Sequence, residues 1–401
     1  MALSVRVEST ERLQRWKVPP FRSPNRNYFP DGLPAEIVRE IVSHLPTRSQ
    51  VPLCETSRRL NEITVPTLYR CINLETIQNT IQFCRTLMRA DGGSTYVDRH
   101  DCVRSLVVAP HVGDKDPDKN LLVNLLEANI QALGRLECLN IWVPDYASTS
   151  YDGGLVKILP TLTLPHLRRF CIHQPHASHY PTLAAFLNRH EELTHLDIIR
   201  PWGYEDEPDV PGIPVHLPSL KSYRGSSSYA LNIVVRRCGL ETASLWDVPH
   251  TTNLYSLLAV LAAATSPKIP FSFSILWDGP WTAIFRPVAQ HLPTVHTLEI
   301  GPFMGSEQPL SQAAVETIAK FLGQLKHLAH FRLDSFKQPE GPSLADSVAI
   351  RLDSDDLMAL TTWGQHCPSL VTSSLHCKSW RREECGEWNF VLGSDVPNAQ
   401  S

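Results

Sequence analysis

The chain lacks most of the signatures that announce an enzyme. Neither GxGxxG nor GxxxxGK followed by Ser or Thr occurs in its 401 residues, so the glycine-rich phosphate cradles of nucleotide-binding folds are excluded. GxSxG and HExxH are missing as well, which removes two hydrolase signatures. A basic excess is absent: 37 Lys and Arg against 41 Asp and Glu give a net charge of −4. A nucleic-acid binder needs a basic face to displace counterions from phosphates, and bulk charge supplies none. Charged residues make up only 19%, which fits a chain with much buried or partner-covered surface.

Long apolar runs are scarce too. The longest, Leu254 to Ala264, is interrupted by Ser256 and is too short to cross a bilayer. The first residues, MALSVRVESTERLQRWK, hold no apolar stretch of signal-peptide type. The ten cysteines are scattered without a CxxC pair. Free thiols in a reducing compartment are therefore expected, in a soluble protein of the cytoplasm, the nucleus or both.

One residue is abundant. Proline accounts for 32 of the 401 residues, about 8% against a usual level near 5%. No Gly-x-y period accompanies it, so collagen is excluded. With 42% hydrophobic residues the chain can bury a core. The prolines are then loop punctuation in a folded chain.

Residues 1–30 read as a disordered basic leader, with six Arg or Lys against Glu8 and Glu11, and Pro19, Pro20, Pro24 and Pro30 denying it a long helix. A helical stretch follows. In LPAEIVREIVSHL, Ile37, Ile41 and Leu45 recur at i, i+4 and i+8 with Val38 and Val42 alongside, which predicts an amphipathic helix with a broad apolar face. Pro34 suits its first turn and Glu36 its positive dipole end; Pro46 closes it. Ser49 is expected to cap a second helix carrying Leu53, Leu60 and Ile63, which Pro66 ends.

From about residue 100 a six-residue pattern recurs, apolar-x-x-apolar-x-apolar. It begins at Val103, Leu136, Leu167, Leu193, Leu220, Leu240, Val295, Leu328 and Leu370, with spacings of 33, 31, 26, 27, 20, 55, 33 and 42. The long gap contains FSFSIL at 271–276, an alternating strand that supplies the missing copy. Helix-like segments lie between the copies. Strand and helix thus alternate with a period of about 30, the signature of a solenoid whose units bury their apolar faces against neighbours. Pro165, Pro218, Pro293 and Pro368 each stand two residues before a copy; Pro110, Pro144, Pro175, Pro201, Pro249 and Pro302 stand just past one. Proline cannot donate to a strand ladder, so it marks strand ends. The residues between the apolar positions, such as Asp197 and Arg332, are expected on the opposite face of the sheet.

Two motifs carry a resemblance. Leu33-Pro34-Ala35-Glu36-Ile37, then Ser57-Arg58-Arg59-Leu60, then Pro66-Thr67-Leu68-Tyr69 resemble the F-box over about 40 residues. Gln50, Pro52, Glu55 and Thr56 depart from the family, which more often has apolar or helix-favouring residues there. The strand copies resemble the irregular leucine-rich repeats that often follow an F-box, although Pro144, Pro175 and Pro201 stand where regular repeats carry asparagine. These resemblances imply an α/β fold: a small helical F-box module over 31–74, a helical linker over 75–100, a leucine-rich-repeat-like solenoid (horseshoe) with a parallel sheet over 101–395, and a tail over 396–401. They also imply a substrate-recognition subunit of a ubiquitin ligase, docked to a Skp-type adaptor and through it to a cullin scaffold, with an unknown protein substrate. The adaptor-binding residues would be Leu33, Pro34, Glu36, Ile37, Ile41, Leu45 and Leu53. The alternative is a non-catalytic repeat scaffold whose degenerate F-box is not used in ubiquitination.

Other clusters have simpler readings. RPWGYEDEPDVPGIPVHLP at 200–218 reads as an acidic insertion, in which Trp202, Tyr204, Glu205 and Asp206 are candidate contacts for a basic substrate. Cys171, His173, His176 and His179, and the later group His366, Cys367, His376, Cys377 and Cys385, lack standard zinc spacing, so neither metal nor cofactor is expected. SWRREECGEWNFVL at 379–392 reads as the polar-faced cap of the repeat array. No catalytic residue, nucleic-acid contact or membrane contact is expected.

Overall fold

The computed structural model describes residues 33–89, 99–109, 119–142, 156–173, 177–199, 212–234, 238–248, 254–277, 279–302, 310–333, 354–375 and 378–391. The chain divides into two compact units, residues 1–174 and 175–401. Trp202, Tyr204, Glu205 and Asp206 lie outside the described residues, as do the leader and the tail.

The first unit opens with three helices, α1 (Ala35–Ser43), α2 (Thr47–Thr56) and α3 (Arg58–Leu68). Pro34 is the N-cap of α1: its carbonyl accepts from the amides of Ile37 (3.1 Å) and Val38 (3.2 Å). α2 forms despite the family departures, with Pro52 inside it. Its N-cap is Pro46, not the expected Ser49, and no side chain caps it. Proline suits this place because its fixed φ leads into the helix and it lacks an N–H that would go unpaired. α3 also runs past Pro66 to Leu68, since a proline in the final turn removes only one ladder bond.

The strand ladder starts earlier than expected. β1 (Cys71–Leu74) follows α3 after a two-residue turn and pairs in parallel with β2 (Ser105–Val108), so residues before 101 already belong to the ladder. α4 (Ile77–Arg89) fills the expected linker, and β3 (Cys138–Trp142) and β4 (Arg169–His173) complete the parallel order β1-β2-β3-β4, with α5 (Lys119–Ala132) packed beside α4.

The second unit continues the alternation. α6 (Tyr180–Leu187) precedes β5 (His195–Ile199). β6 (Ser222–Ser226) runs directly into α7 (Ser227–Ile233), and β7 (Thr242–Val248), α8 (Leu254–Ala264), β8 (Phe271–Trp277), α9 (Trp281–His291), β9 (Val295–Pro302), α10 (Gln312–Leu322), β10 (His330–Leu333), α11 (Ser354–His366) and β11 (Thr372–Leu375) follow. β5 to β11 pair in parallel in chain order, and the FSFSIL segment is β8. Two further strands, β12 (Lys378–Arg382) and β13 (Trp388–Val391), add an antiparallel hairpin to β11, so the sheet is not parallel throughout. Trp380 and Trp388 are buried there while Arg381 is exposed, which gives the expected cap an apolar inner and a polar outer side. Among the described residues no helix is long and apolar enough to cross a membrane.

Each apolar position of the six-residue pattern has a place. Within the first unit Leu106, Leu139 and Phe170 stand in register; within the second, Leu196, Tyr223, Ala243, Phe273, Leu298 and Phe331 do so, all buried. The prolines before the copies have a specific geometry. The amides of Leu167, Leu220, Val295 and Leu370 donate to the carbonyls of Leu164, Leu217, Leu292 and Cys367, which makes Pro165, Pro218, Pro293 and Pro368 the second residue of a tight turn. Proline is favoured there because its φ is already set. Pro302 is the last residue of β9, and the other five strand-exit prolines lie outside the described residues.

The copy at 220–225 ends in Gly225 where others carry an aliphatic residue. A Cβ there would stand 2.7 Å from the Tyr223 hydroxyl and 2.8 Å from the Ile198 carbonyl. The buried Tyr223 hydroxyl donates to the Ser226 carbonyl at 2.9 Å and takes the volume that a side chain at 225 would need. Gly225→Ala is expected to destabilise the protein by about 1–3 kcal/mol in urea unfolding.

Two histidines set a pH dependence. Burial lowers the pKa of His190, with the bond to the Phe186 carbonyl (2.8 Å) opposing and Arg189 adding to the effect. Burial also lowers that of His330, and His296 adds to it. Both groups bind a proton less readily folded than unfolded, so stability is full above the ordinary value of 6.5 and is lost as pH falls below it. Unfolding free energy is expected to drop between pH 7.5 and pH 5. The drop should shrink in His190→Gln, even where that variant is less stable at every pH.

Candidate functional site

The N-terminal helices divide their apolar side chains between two faces. Val38 and Val42 of α1 are 6% and 2% exposed and form a small core with Ile63 of α3, against which Ala35, Leu53 and Leu60 pack. Ile37 and Ile41 are one residue away in sequence, 100° around the helix, and are 49% and 51% exposed. Leu33, 43% exposed, precedes them at the same spacing. Pro34 and Glu36 are exposed as well, and Leu45 is half-buried. Of the seven residues expected to bind a partner, Leu33, Pro34, Glu36, Ile37 and Ile41 thus share an outer surface. Leu53 packs on the inner core instead. The exposed Val51 of α2 is a further apolar side chain that periodicity did not single out.

Polar groups hold this module together. The buried Gln50 amide donates to the carbonyls of Val42 (3.1 Å) and Leu45 (2.8 Å), adding a second bond to the Val42 carbonyl, which also accepts from the Leu45 amide (3.1 Å). The family departure at residue 50 is therefore a brace between α1 and α2. The Ser57 hydroxyl accepts from the Leu60 amide at 3.1 Å as the N-cap of α3. Asn61 donates to the Cys54 carbonyl at 3.0 Å, and the Arg59 guanidinium donates to the Leu33 carbonyl. The Ser-Arg-Arg-Leu motif supplies a cap, a tie to the start of α1 and a core residue.

The module has no flexible connection to the first strand. The Arg70 carbonyl accepts from the amides of Arg104 (2.9 Å) and Ser105 (3.0 Å), and the Arg99 guanidinium lies 5.5 Å from the Tyr69 ring centroid. β1 was not recognised in sequence because its residues read as a helix exit. Tyr69, Ile72 and Leu74 nonetheless show the spacing of the repeat, 34 residues before Val103.

A second surface is the polar face of the sheet in each unit. Asp197 is half-buried and Arg332 exposed on this face, as the period of two requires. In the first unit Trp142 of β3 is exposed and stands 4.2 Å from the His173 ring of β4. In the second unit His296 and His330 approach edge to face at 5.2 Å, and His330 Nδ1 shares a hydrogen with the Thr372 hydroxyl at 2.6 Å.

The cysteine and histidine clusters do not assemble among the described residues, where no three His, Cys, Asp or Glu are placed to hold a metal ion. Cys171 and His173 are strand residues of β4. His176, His376 and Cys377 lie outside the described residues. The buried Cys367 thiol faces the carbonyls of Leu325 (3.8 Å) and Leu328 (3.9 Å), and burial raises its pKa, which makes it a packed, unreactive group.

Comparison with known families agrees with the geometry of the first module. Residues 31–75 match the F-box-like family. The chain therefore carries an F-box-like domain over 45 of its 401 residues, and that match ends just past β1, short of the other strands. No curated protein matches the chain.

The division of α1 into two faces can be tested by stability. Val38→Ala should cost about 2 kcal/mol, the methyl groups lost plus a cavity. Ile41→Ser should change stability by no more than about 0.5 kcal/mol. Hydrogen exchange over residues 33–68 would report both.

Proposed function

We propose that the protein is the substrate-recognition subunit of an SCF-type ubiquitin ligase. The F-box-like module docks to a Skp-type adaptor, which connects it to a cullin scaffold. The strand repeats form a leucine-rich-repeat-like solenoid whose polar face binds a protein substrate. In this reading the chain has no active site of its own and works in the cytoplasm, the nucleus or both. The observation that carries the proposal is the pair Ile37 and Ile41, left half-exposed on a helix whose Val38 and Val42 are buried. Each would stabilise a complex by roughly 1.5–3 kcal/mol if a partner covered it fully. The two-residue connection from α3 to β1 supports the reading further, because an adaptor held on α1 would fix the first strands relative to the ligase.

Ile41→Asp should abolish co-purification with a Skp-type adaptor while leaving the circular dichroism spectrum unchanged. Equal capture of wild type and variant would favour the scaffold alternative, in which the F-box-like module serves no ligase.

A further inference from the structure

The entry rim of the first unit's strand ladder is rich in arginine. Arg70, Arg104, Glu137 and Arg168 each stand one residue before a strand and follow one another in register. Backbone bonds fix this row. The Arg104 carbonyl accepts from the amides of Glu137 (2.8 Å) and Cys138 (2.9 Å), and the Glu137 carbonyl from those of Arg168 and Arg169 (2.9 Å each). Arg169 opens β4 beside the row. Two further arginines join it from preceding turns: the Arg104 guanidinium donates to the Arg135 carbonyl at 3.1 Å, and Arg99 lies over the ring of Tyr69, next to Arg70. The carboxylates among them are already partnered, Glu137 with Arg104 and Asp101 with Arg135, at 3.6 Å each. Arg70 and Arg169 are exposed, and among the described residues no carboxylate pairs with either. Six arginines against two carboxylates leave this rim strongly positive on a chain whose overall charge is −4.

Charge and length define the partner. From β1 to β4 the row spans three strand steps, about 14 Å. An extended peptide covers that span in about four or five residues. The cations stand along a line, so they suit several carboxylates in sequence, not one anion at a point. Guanidinium groups suit this role because their forked N–H donors match carboxylate oxygens. A nucleic acid fits less well. It would carry its repeated charge beyond this short row and over a chain that is acidic overall. The Tyr69 ring, which Arg99 lies over, is not open on that face to a stacking base.

The geometry points to this arginine rim, with Arg70 and Arg169 near its two ends, as a docking surface for an extended acidic segment of a partner protein. This deepens the function proposed above, since it names a substrate class, and it rests on that reading only for the partner's place in a ligase.

Fluorescence polarisation of the full chain would test it, using labelled octaglutamate, with octaglutamine and a thymidine octanucleotide for comparison. Octaglutamate should bind, and octaglutamine should bind at least about tenfold more weakly. Added salt should weaken the octaglutamate complex, because the contacts are exposed. Arg70→Glu combined with Arg169→Glu should weaken it at least about tenfold with an unchanged circular dichroism spectrum, since neither side chain has a protein partner to lose. A second double variant carries the same charge change away from the rim: Lys320→Glu with Lys326→Glu, both exposed in the second unit, should bind within about twofold of wild type. Adaptor capture should be unchanged in both variants, so failure here is separable from failure of the ligase reading. Equal binding of octaglutamate and octaglutamine, an equal loss in the two double variants, or tighter binding of the oligonucleotide than of octaglutamate would overturn the proposal.

Discussion

The structure depends on one constraint, the in-register alignment of buried side chains along each strand ladder. A single strand of four to eight residues cannot bury its apolar positions alone. It does so when the fourth and sixth positions of each copy meet their counterparts on the next strand, as Leu106 and Val108 meet Leu139 and Ile141. A slip of one residue would turn these side chains to the polar face and bring residues such as Asp197 inward. The tight turns before the strands set this register, and four of them use proline. The proline excess is thus part of what holds the ladder in phase.

The same constraint explains the odd copies. Tyr223 fills the fourth position with a large ring, so the sixth must be Gly225. After β11 the β12–β13 hairpin follows in place of another helix-bearing unit, with Trp380 and Trp388 buried in it. The N-terminal module is joined as tightly, with Arg70 accepting the first amides of β2.

Much of this was legible in the sequence because strand period and turn chemistry are local. All nine copies and the FSFSIL segment became strands. Ser49 and Pro66 were misassigned because a cap and a stop depend on backbone geometry that a residue type only biases. β1 was missed because its residues, although they carry the spacing of the repeat, directly follow α3 and read as its exit. The apolar face of α1 was visible as one broad stripe; its division into buried Val38 and Val42 and exposed Ile37 and Ile41 requires knowing where α3 packs. Gln50 is a related case, since a polar residue at a departure from a family pattern becomes a brace only when its amide reaches two carbonyls past the middle of α1. The stack of Arg224 on Trp246 joins residues of adjacent strands, and no local pattern encodes it.

The central claim is that the outer face of α1 is a partner surface held rigidly against the first strands. Hydrogen exchange of the full chain, with and without a Skp-type adaptor, tests it most directly. The account predicts added protection confined to residues 33–56, strongest around Ile37 and Ile41, with β2 and β3 unchanged. Protection spread over the strand ladder, or none in α1, would contradict it.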